Sequence, residues 1–489
     1  MDATLVQDVV AEVMSRLSGR ANFTSPAPRA GEEAEINDSM QPTSGTQVAD
    51  GKYGIFASVD DAVRAATESQ QKLLKLSLDE RDQIVKLIKS IANENAHKWG
   101  EIEFKETKIG RLDHKIEKLQ ILSLVPGVEY LKTNAMSGSN GLCIEEFAPF
   151  GVIGIITPVT HSVPTLSANA INMIASGNAI VANPHPSGVN CAVIAVREYN
   201  RQIAAKFGIE HLITVITPPT LETADAIFAH RGISLLVVTG GPQVARAALR
   251  SPKRAIVAGP GNPPVVVDET ACLKNAAESI IRGGSYDNNL LCIGEKQVLV
   301  VESVYDKLVA ALQTAGAAQL TSPQIDKLTK QAFKIGDDNK PHVNKEFVGR
   351  DARLLAEAAG ASASPACQLA FGETQFDHPF VQEEQMMPFV PLVRCRNVEE
   401  AMDKAIESEH GYRHTAIMHS RNLDTITRFG RRAATTLYVV NGASATGLGL
   451  GGQGYLSYSI ATPTGEGITT PLTFTRYRRV MITGSLRMV

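Results

Sequence analysis

Four short apolar runs, Gly151–Ile156, Ala179–Ala182, Leu212–Ile216 and Ser234–Val238, recur at helix-length spacing, and no other feature constrains the fold of this chain as strongly. Each run is continuously apolar instead of alternating, the pattern of a strand buried on both faces of a parallel sheet. Parallel strands need crossovers, and the intervening pieces are long enough to be helices. A second set starts at Pro264–Val267 and continues with Gln297–Val301 and Thr415–Met418. The pattern predicts two α/β domains joined near residues 258–264, after a helical stretch from Asp60 to Leu131 with Glu/Lys-rich faces. A strand-like arm at Gly141–Phe147 and a β-rich tail over Ala461–Met488 complete the body.

A chain of 489 residues, 44% of them hydrophobic, has the material for two or three cores. Its net charge of -3 gives no basic footprint for nucleic acid, and Arg476–Arg479 is too short to change that. No run approaches the roughly 18 apolar residues of a membrane span. No export signal opens the chain, so a cytoplasmic location is expected. The six cysteines, at 143, 191, 272, 292, 367 and 395, form no C-x-x-C pair and have no His at metal-ligand spacing. That excludes a disulfide framework and a zinc site, and implies a reducing compartment and no bound metal.

Residues 2–18 read as an amphipathic helix, with Leu5, Val6, Val9, Val10, Val13, Met14 and Leu17 on one face. Residues 19–52 carry hardly a large apolar side chain and read as a flexible linker. A short helix on such a tether seeks a partner for its apolar face, either another protein or its own domain.

Three turns follow predicted strands. Val238-Thr239-Gly240-Gly241-Pro242 opens a predicted helix over Gln243–Leu249 and offers backbone N–H groups to a pyrophosphate, although a plain strand–helix turn has the same pattern. Gly151-x-x-Gly154 runs into Thr157-Pro158, and Ala179–Ala182 runs into Asn183-Pro184-His185-Pro186, where His185 is either a polar turn residue or a ligand contact. Ligands of parallel sheets gather at such carboxyl edges. Cys292 lies in Gly284-Ser-Tyr-Asp-Asn-Asn-Leu-Leu-Cys292-Ile-Gly-Glu-Lys296, a polar segment between elements. A thiol placed there is open to a substrate, whereas one inside an apolar run is packing.

Taken in order, the turns at 157–161, 183–186 and 239–241, Gly-x-Gly-Asn-Pro-Pro at 259–264, the cysteine loop at 285–296 and Glu383-Glu384-Gln-Met-Met-Pro388 resemble the aldehyde dehydrogenase superfamily. The resemblance runs from Tyr53 to the C-terminus. Three departures are informative. Hydrolytic members carry a water-activating Glu where this chain has Ala258; their Lys-Pro ribose contact is Asn183-Pro184-His185 here; their Pro-Trp-Asn turn is Pro158-Val159-Thr160. All three resemble the coenzyme A-acylating branch, the propionaldehyde and acetaldehyde dehydrogenases of bacterial microcompartments. So do His414–Ser420 and Ile460–Gly467. One mismatch stands out: His161 replaces an Asn of that branch.

The resemblance implies an aldehyde dehydrogenase-like α/β fold, with a Rossmann-type cofactor domain over 53–258 (arm about 133–147), a catalytic thiol domain over 259–460 and an oligomerisation arm over 461–489. It implies Cys292, Thr160, His161 and Asn262 as catalytic or channel residues. Thr157, Pro158, Pro184, His185, Thr239, Gly240, Gly241 and Glu384 become cofactor contacts, with Glu384 on the nicotinamide ribose. NAD and coenzyme A are the implied cofactor and co-substrate, and a homodimer or homotetramer the implied assembly. Residues 2–18 are then an encapsulation helix for shell or core proteins of a microcompartment. Cys292 thiolate adds to a short aldehyde, propionaldehyde first, hydride leaves, and coenzyme A takes the acyl group because Ala258 activates no water. Two rivals remain: a hydrolytic enzyme using Glu295, a residue better suited to a salt bridge, and a non-catalytic scaffold recruited through residues 2–18.

Overall fold

The computed structural model describes residues 49–486, so the predicted helix at 2–18 and most of the linker at 19–52 lie outside the described residues. Among the described residues, 49–334 and 341–486 pack as one unit. Ile335–Lys340 form a separate excursion closed by Gly336 N–H donating to the Lys340 carbonyl at 2.9 Å.

The helical stretch predicted from Asp60 resolves into helices Val59–Leu73, Leu78–Glu94, Ala96–Thr107 and Leu112–Gln120. Ser77 starts the second: its Oγ accepts from Glu80 N–H, and Glu80 Oε2 accepts from Ser77 N–H at 2.8 Å. Such a reciprocal cap satisfies two N–H groups that the helix leaves unpaired.

The four founding runs are parallel strands of a six-stranded sheet, ordered Ile55–Phe56, Ile213–Ile216, Ala179–Pro184, Val152–Thr157, Leu235–Thr239, Ala255–Ala258. Every residue of Val152–Thr157 and of Ala179–Pro184 is buried, as unbroken apolar runs require. Helix Ser162–Ala175, entered directly from the first of these strands, is buried at all its positions. Its residues are small or apolar with no charge, so the helix fits inside a core.

The second sheet is also parallel and has seven strands, ordered Ala318–Gln319, Ala370–Glu373, Phe389–Cys395, Gln297–Val301, Pro264–Val267, Thr415–His419, Leu437–Val440. The pattern reading found three of these. Phe389–Cys395 escaped it because Pro391 sits inside the run, and proline argues against an interior strand.

The arm and the tail meet in one three-stranded antiparallel sheet, ordered Asn134–Gly138, Gly141–Pro149, Thr475–Thr483. Arg478 and Arg479 lie opposite Glu146 and Glu145 and pair with them, the first at 2.7 Å. Arg478 and Arg479 therefore lie inside the strand, their charges matched across the ladder. Among the described residues no helix is long and apolar enough to cross a membrane.

Candidate active site

The six-stranded sheet reverses its order at Val152–Thr157. The next two strands in the chain, Ala179–Pro184 and Ile213–Ile216, step to one side, while Leu235–Thr239 and Ala255–Ala258 lie on the other. A crevice opens at the carboxyl edge of such a switch point. Thr157 stands opposite Pro184, and Ile156 opposite Val238, so the three predicted turns share that edge. His185 N–H donates to the Thr157 carbonyl at 3.0 Å, and Thr239 Oγ1 lies 3.0 Å from Ser459 Oγ. Helix Pro242–Arg250 starts there with Gly241 as its N-cap. A Cβ on Gly241 would meet nothing within 4 Å, and one on Gly240 only Ile156 at 3.9 Å. Open space before a helix N-terminus, floored by backbone, fits a dinucleotide pyrophosphate. The residues present therefore fit NAD. His185 is exposed, and its Nδ1 accepts from Ser187 N–H at 3.1 Å, so the imidazole caps the following turn.

Cys292 lies between helix Leu273–Ser285 and strand Gln297–Val301. Asp287, Asn288 and Asn289, at φ 49°, 56° and 63°, form a left-handed run ahead of it. Asp and Asn tolerate this region better than other side-chain-bearing residues, which explains the Asp-Asn-Asn sequence. Side chains then pin the run. Asn288 Nδ2 donates to the Gly349 carbonyl at 2.9 Å, and Asn289 Nδ2 to the carbonyls of Glu295 and Met387 at 3.0 and 3.1 Å. Lys296, fully buried, gives its ammonium to the Asn289 carbonyl at 2.8 Å and to Asn289 Oδ1 at 2.7 Å. The loop delivers Cys292 half-buried, packed against the core that holds the first sheet. Gly261 passes beneath it, where a Cβ would lie 2.5 Å from the Cys292 carbonyl and 3.0 Å from the His414 ring.

Charge at the thiol is balanced between two neighbours. Desolvation first, then the Glu384 carboxylate, pushes the Cys292 thiol up to about 12, while Lys296 and the N–H groups of Cys292 and Ile293 pull it down. Desolvation raises Glu384 to about 7 against the pull of Lys296, and lowers Lys296 to about 8 against the pull of Glu384. Glu384 is thus a neighbour of the thiol as well as the expected ribose ligand. The same N–H groups of Cys292 and Ile293 reach toward the sulfur. The buried ring of His414 is pushed down to about 4 by desolvation and Lys296; its Nδ1 is 2.8 Å from Thr415 Oγ1 and its Nε2 has no partner.

Two expected residues take other parts. Asn262 spends its amide on the carbonyls of Val381 and Ser408, at 2.9 and 2.8 Å, so it tethers the 259–264 loop and presents no N–H to substrate. Among the described residues Glu295 has no salt-bridge partner: its oxygens accept from Ser444 N–H and Oγ at 2.9 and 2.8 Å, and desolvation raises its carboxyl to about 7. Ala258 ends its strand opposite Thr239. On the turn after Thr157, His161 is buried beside Tyr458, ring centroids 5.7 Å apart, and its Nδ1 has no partner.

The residues that pattern reading missed are charged and buried. Lys115 and Lys118 belong to faces read as solvated, yet both are at most 1% exposed, as is Glu103. They bind Asp287, which lies about 170 residues further along the chain. Only the Asp-Asn-Asn run hinted that this loop is special.

A half-buried thiol packed against the core of the sheet that carries the open glycine turn is the candidate site, and comparison with known proteins gives the class. The aldehyde dehydrogenase family profile matches residues 29–455. The chain belongs to the aldehyde dehydrogenase family. It is 42% identical over 458 residues to the acetylating acetaldehyde dehydrogenase EutE of Salmonella typhimurium, covering 93% of this chain and 97% of that relative. It is 38% identical to the CoA-propanoylating propanal dehydrogenase of Citrobacter freundii, covering 88% and 93%. Among solved structures, the Rhodopseudomonas palustris propionaldehyde dehydrogenase with bound propionyl-CoA superposes with a TM-score of 0.86 at 40% identity, over 90% of this chain and 98% of that one.

Proposed function

We propose that this chain oxidises a short aldehyde, propionaldehyde first, with NAD and coenzyme A to the corresponding acyl-CoA. The observation that carries the reading is a thiol loop with Ala258 at the position where the resemblance puts the water-activating Glu of hydrolytic members. The rival Glu295 is turned into Ser444. Relatives of both named chemistries, acetylating and propanoylating, support it.

Cys292 as thiolate adds to the aldehyde carbon, and the N–H groups of Cys292 and Ile293 meet the developing oxyanion. One such donor contributes about 3 kcal/mol. NAD, held at Thr157, Pro158, Pro184, Thr239, Gly240 and Gly241, accepts hydride when bound. The thioester left on Cys292 passes its acyl group to the coenzyme A thiol. A cavity lined by His114, Glu117, Arg282, Tyr286, Ala445 and Leu450 borders the start of the thiol loop at Ser285 and Tyr286. His161, with Nδ1 unpartnered, accepts a hydroxyl in substrates such as lactaldehyde.

Residues 2–18 dock the enzyme on shell or core proteins of a bacterial microcompartment. A relative from the Clostridium phytofermentans fucose utilisation microcompartment, 38% identical with a TM-score of 0.86, supports that location. The arm and tail sheet, whose outer strand exposes Tyr477 and Met481, supports a homodimer or homotetramer.

NADH formation from propionaldehyde and NAD, measured with and without coenzyme A, tests the reading. Turnover is expected only with coenzyme A, and Cys292→Ala is expected to lose about 10⁴-fold or more. Equal sustained turnover without coenzyme A would mean that water deacylates the enzyme.

A further inference from the structure

Four fully buried charges lie between the two loops of the site. Lys115 Nζ donates to the Thr160 carbonyl at 2.6 Å and to Glu103 Oε1 at 3.2 Å, and it lies 3.7 Å from Asp287 Oδ2. Lys118 donates to the same Asp287 oxygen. One ammonium therefore touches the turn that follows Thr157 and also the left-handed run that leads to Cys292.

The remaining contacts tie these charges into the frame. Asp287 Oδ1 accepts from Arg111 N–H at 2.8 Å, and the Asp287 N–H donates to His114 Nδ1 at 2.8 Å. Glu103 Oε2 accepts from Val163 N–H at 3.3 Å, in the first turn of helix Ser162–Ala175. Tyr458, the neighbour of His161, donates its hydroxyl to the Lys118 carbonyl at 3.0 Å. Two cations face two anions, so the cluster is neutral. The Lys115 and Lys118 charges hold the Asp287 carboxyl down at about 2 against the desolvation of its site.

A buried ionic cluster is no better for stability than well-packed apolar side chains, so its presence here asks for another reason. We propose that the Glu103–Lys115–Asp287–Lys118 quartet is a positioning device that fixes the Thr160–His161 turn at its distance from the Cys292 loop. Lys115 is its bridging member, acting through Thr160 and Asp287 and not on the reacting atoms. The consequence for rate rests on the aldehyde dehydrogenase reading given above; the coupling of the two loops does not.

The test is the charge-balanced pair Lys115→Met with Glu103→Gln, which removes the bridge and leaves the Lys118–Asp287 pair intact. Misplacement of reacting groups by about 1 Å slows a reaction by about 100-fold. The expected result is a kcat for propionaldehyde lower by about 10–100-fold with KM within about twofold, and partial recovery in Lys115→Arg, whose guanidinium keeps the charge and the donors. A kcat within about threefold of the parent, or a KM that rises as much as kcat falls, overturns the proposal. Amide hydrogen exchange gives the readout independent of catalysis: peptides covering 157–161 and 285–291 lose protection together, while helix Ser162–Ala175 keeps it. Loosening of one loop alone, or of neither, is the opposing result. Should the pair not accumulate as folded protein, Lys115→Gln with Glu103→Gln, which keeps polar groups at both positions but removes the charged bridge, carries the same exchange measurement, and unchanged protection of both loops overturns the proposal. If the loops loosen together but the parent oxidises no aldehyde, the positioning inference stands and the proposed function falls.

Discussion

The two sides of the cleft are built on opposite principles. On the cofactor side, strand ends and glycines leave open space: Thr157, Pro184 and Thr239 are placed by sheet register, and Gly241 has nothing within 4 Å of where a Cβ would stand. On the thiol side the space is filled with charge. Lys296, Glu295 and Asp287 are fully buried there, and three consecutive residues are held in the left-handed region. Regular secondary structure positions a crevice without special side chains. An irregular loop has no such register, so it must be pinned by side chains, and in a buried loop only strong polar and ionic contacts satisfy its backbone.

The largest difference between the two sides is expected in stability. Asp287→Asn keeps a residue that tolerates the left-handed turn but leaves Lys115 and Lys118 without their shared carboxylate. Loss of one partner of a buried pair destabilises by about 3–5 kcal/mol. Denaturant unfolding at neutral pH measures it. The pH dependence has a definite sign. Desolvation works against ionisation, yet the two ammonium charges lower the Asp287 carboxyl from 3.8 to about 2, so its stabilisation is fully present above 3.8 and is lost as pH falls toward 2. The deficit of Asp287→Asn therefore narrows across that window. A deficit that stays constant from neutral pH to pH 2 would show that geometry, not charge, holds the loop.

The counterpart on the open side is Gly241→Val. The added side chain meets no protein atom at Cβ, so stability stays within about 0.5 kcal/mol of the parent. It intrudes on the space in front of helix Pro242–Arg250, and the KM for NAD is expected to rise about tenfold with kcat little changed. Loss of stability without loss of NAD affinity would break the contrast between a filled side and an open one.

Glu384 joins the two sides. It is the second cause, after desolvation, of the raised Cys292 thiol. Glu384→Gln removes that carboxylate, so the thiol moves down and its thiolate fraction at a given pH goes up. Alkylation of Cys292 by iodoacetamide at pH 8 is then expected to be about 3–10-fold faster than in the parent. An unchanged rate would mean that desolvation alone sets the thiol.

The same contrast decides what could be read before the structure was seen. The cofactor side was legible because its information is local: an apolar run gives the strand, the glycines that follow give the turn, and the order of runs gives the switch point. Cys292 was legible through its polar surroundings and the order of motifs around it. The scaffold beneath it was not, since Lys115 and Lys118 sit on helical faces that look solvated, and only the fold brings Asp287 to them. Asn262 is a different case. Its place in Gly-x-Gly-Asn-Pro-Pro suggested a channel residue, and the structure adds that its Nδ2 donates to the Val381 and Ser408 carbonyls while its Oδ1 has no partner. Sequence order gives the neighbourhood of a polar side chain, and only coordinates give its partner.

Glu295 provides the finest test, because the least change in activity is expected there. It lies three residues past the nucleophile, and desolvation lifts its carboxyl from 4.5 to about 7, as a general base would require. Both its oxygens nevertheless accept from Ser444, 149 residues away, and they point toward Gly283, where a Cβ would lie 1.8 Å from Oε2. A carboxyl so enclosed holds helix Leu273–Ser285 to the Ser444 turn and reaches no water at the thioester. Its raised value means the folded state prefers the proton, so this residue's contribution to stability falls as pH rises from 4.5 through about 7. Glu295→Gln removes that slope while keeping the shape. Turnover with coenzyme A is expected within about twofold of the parent, with unfolding free energy less dependent on pH between 5 and 8 by about 2–3 kcal/mol. A large loss of CoA-independent aldehyde oxidation in Glu295→Gln would instead give the thiol side a water-activating base, and the filled half of the cleft would have to be read as reactive chemistry instead of scaffold.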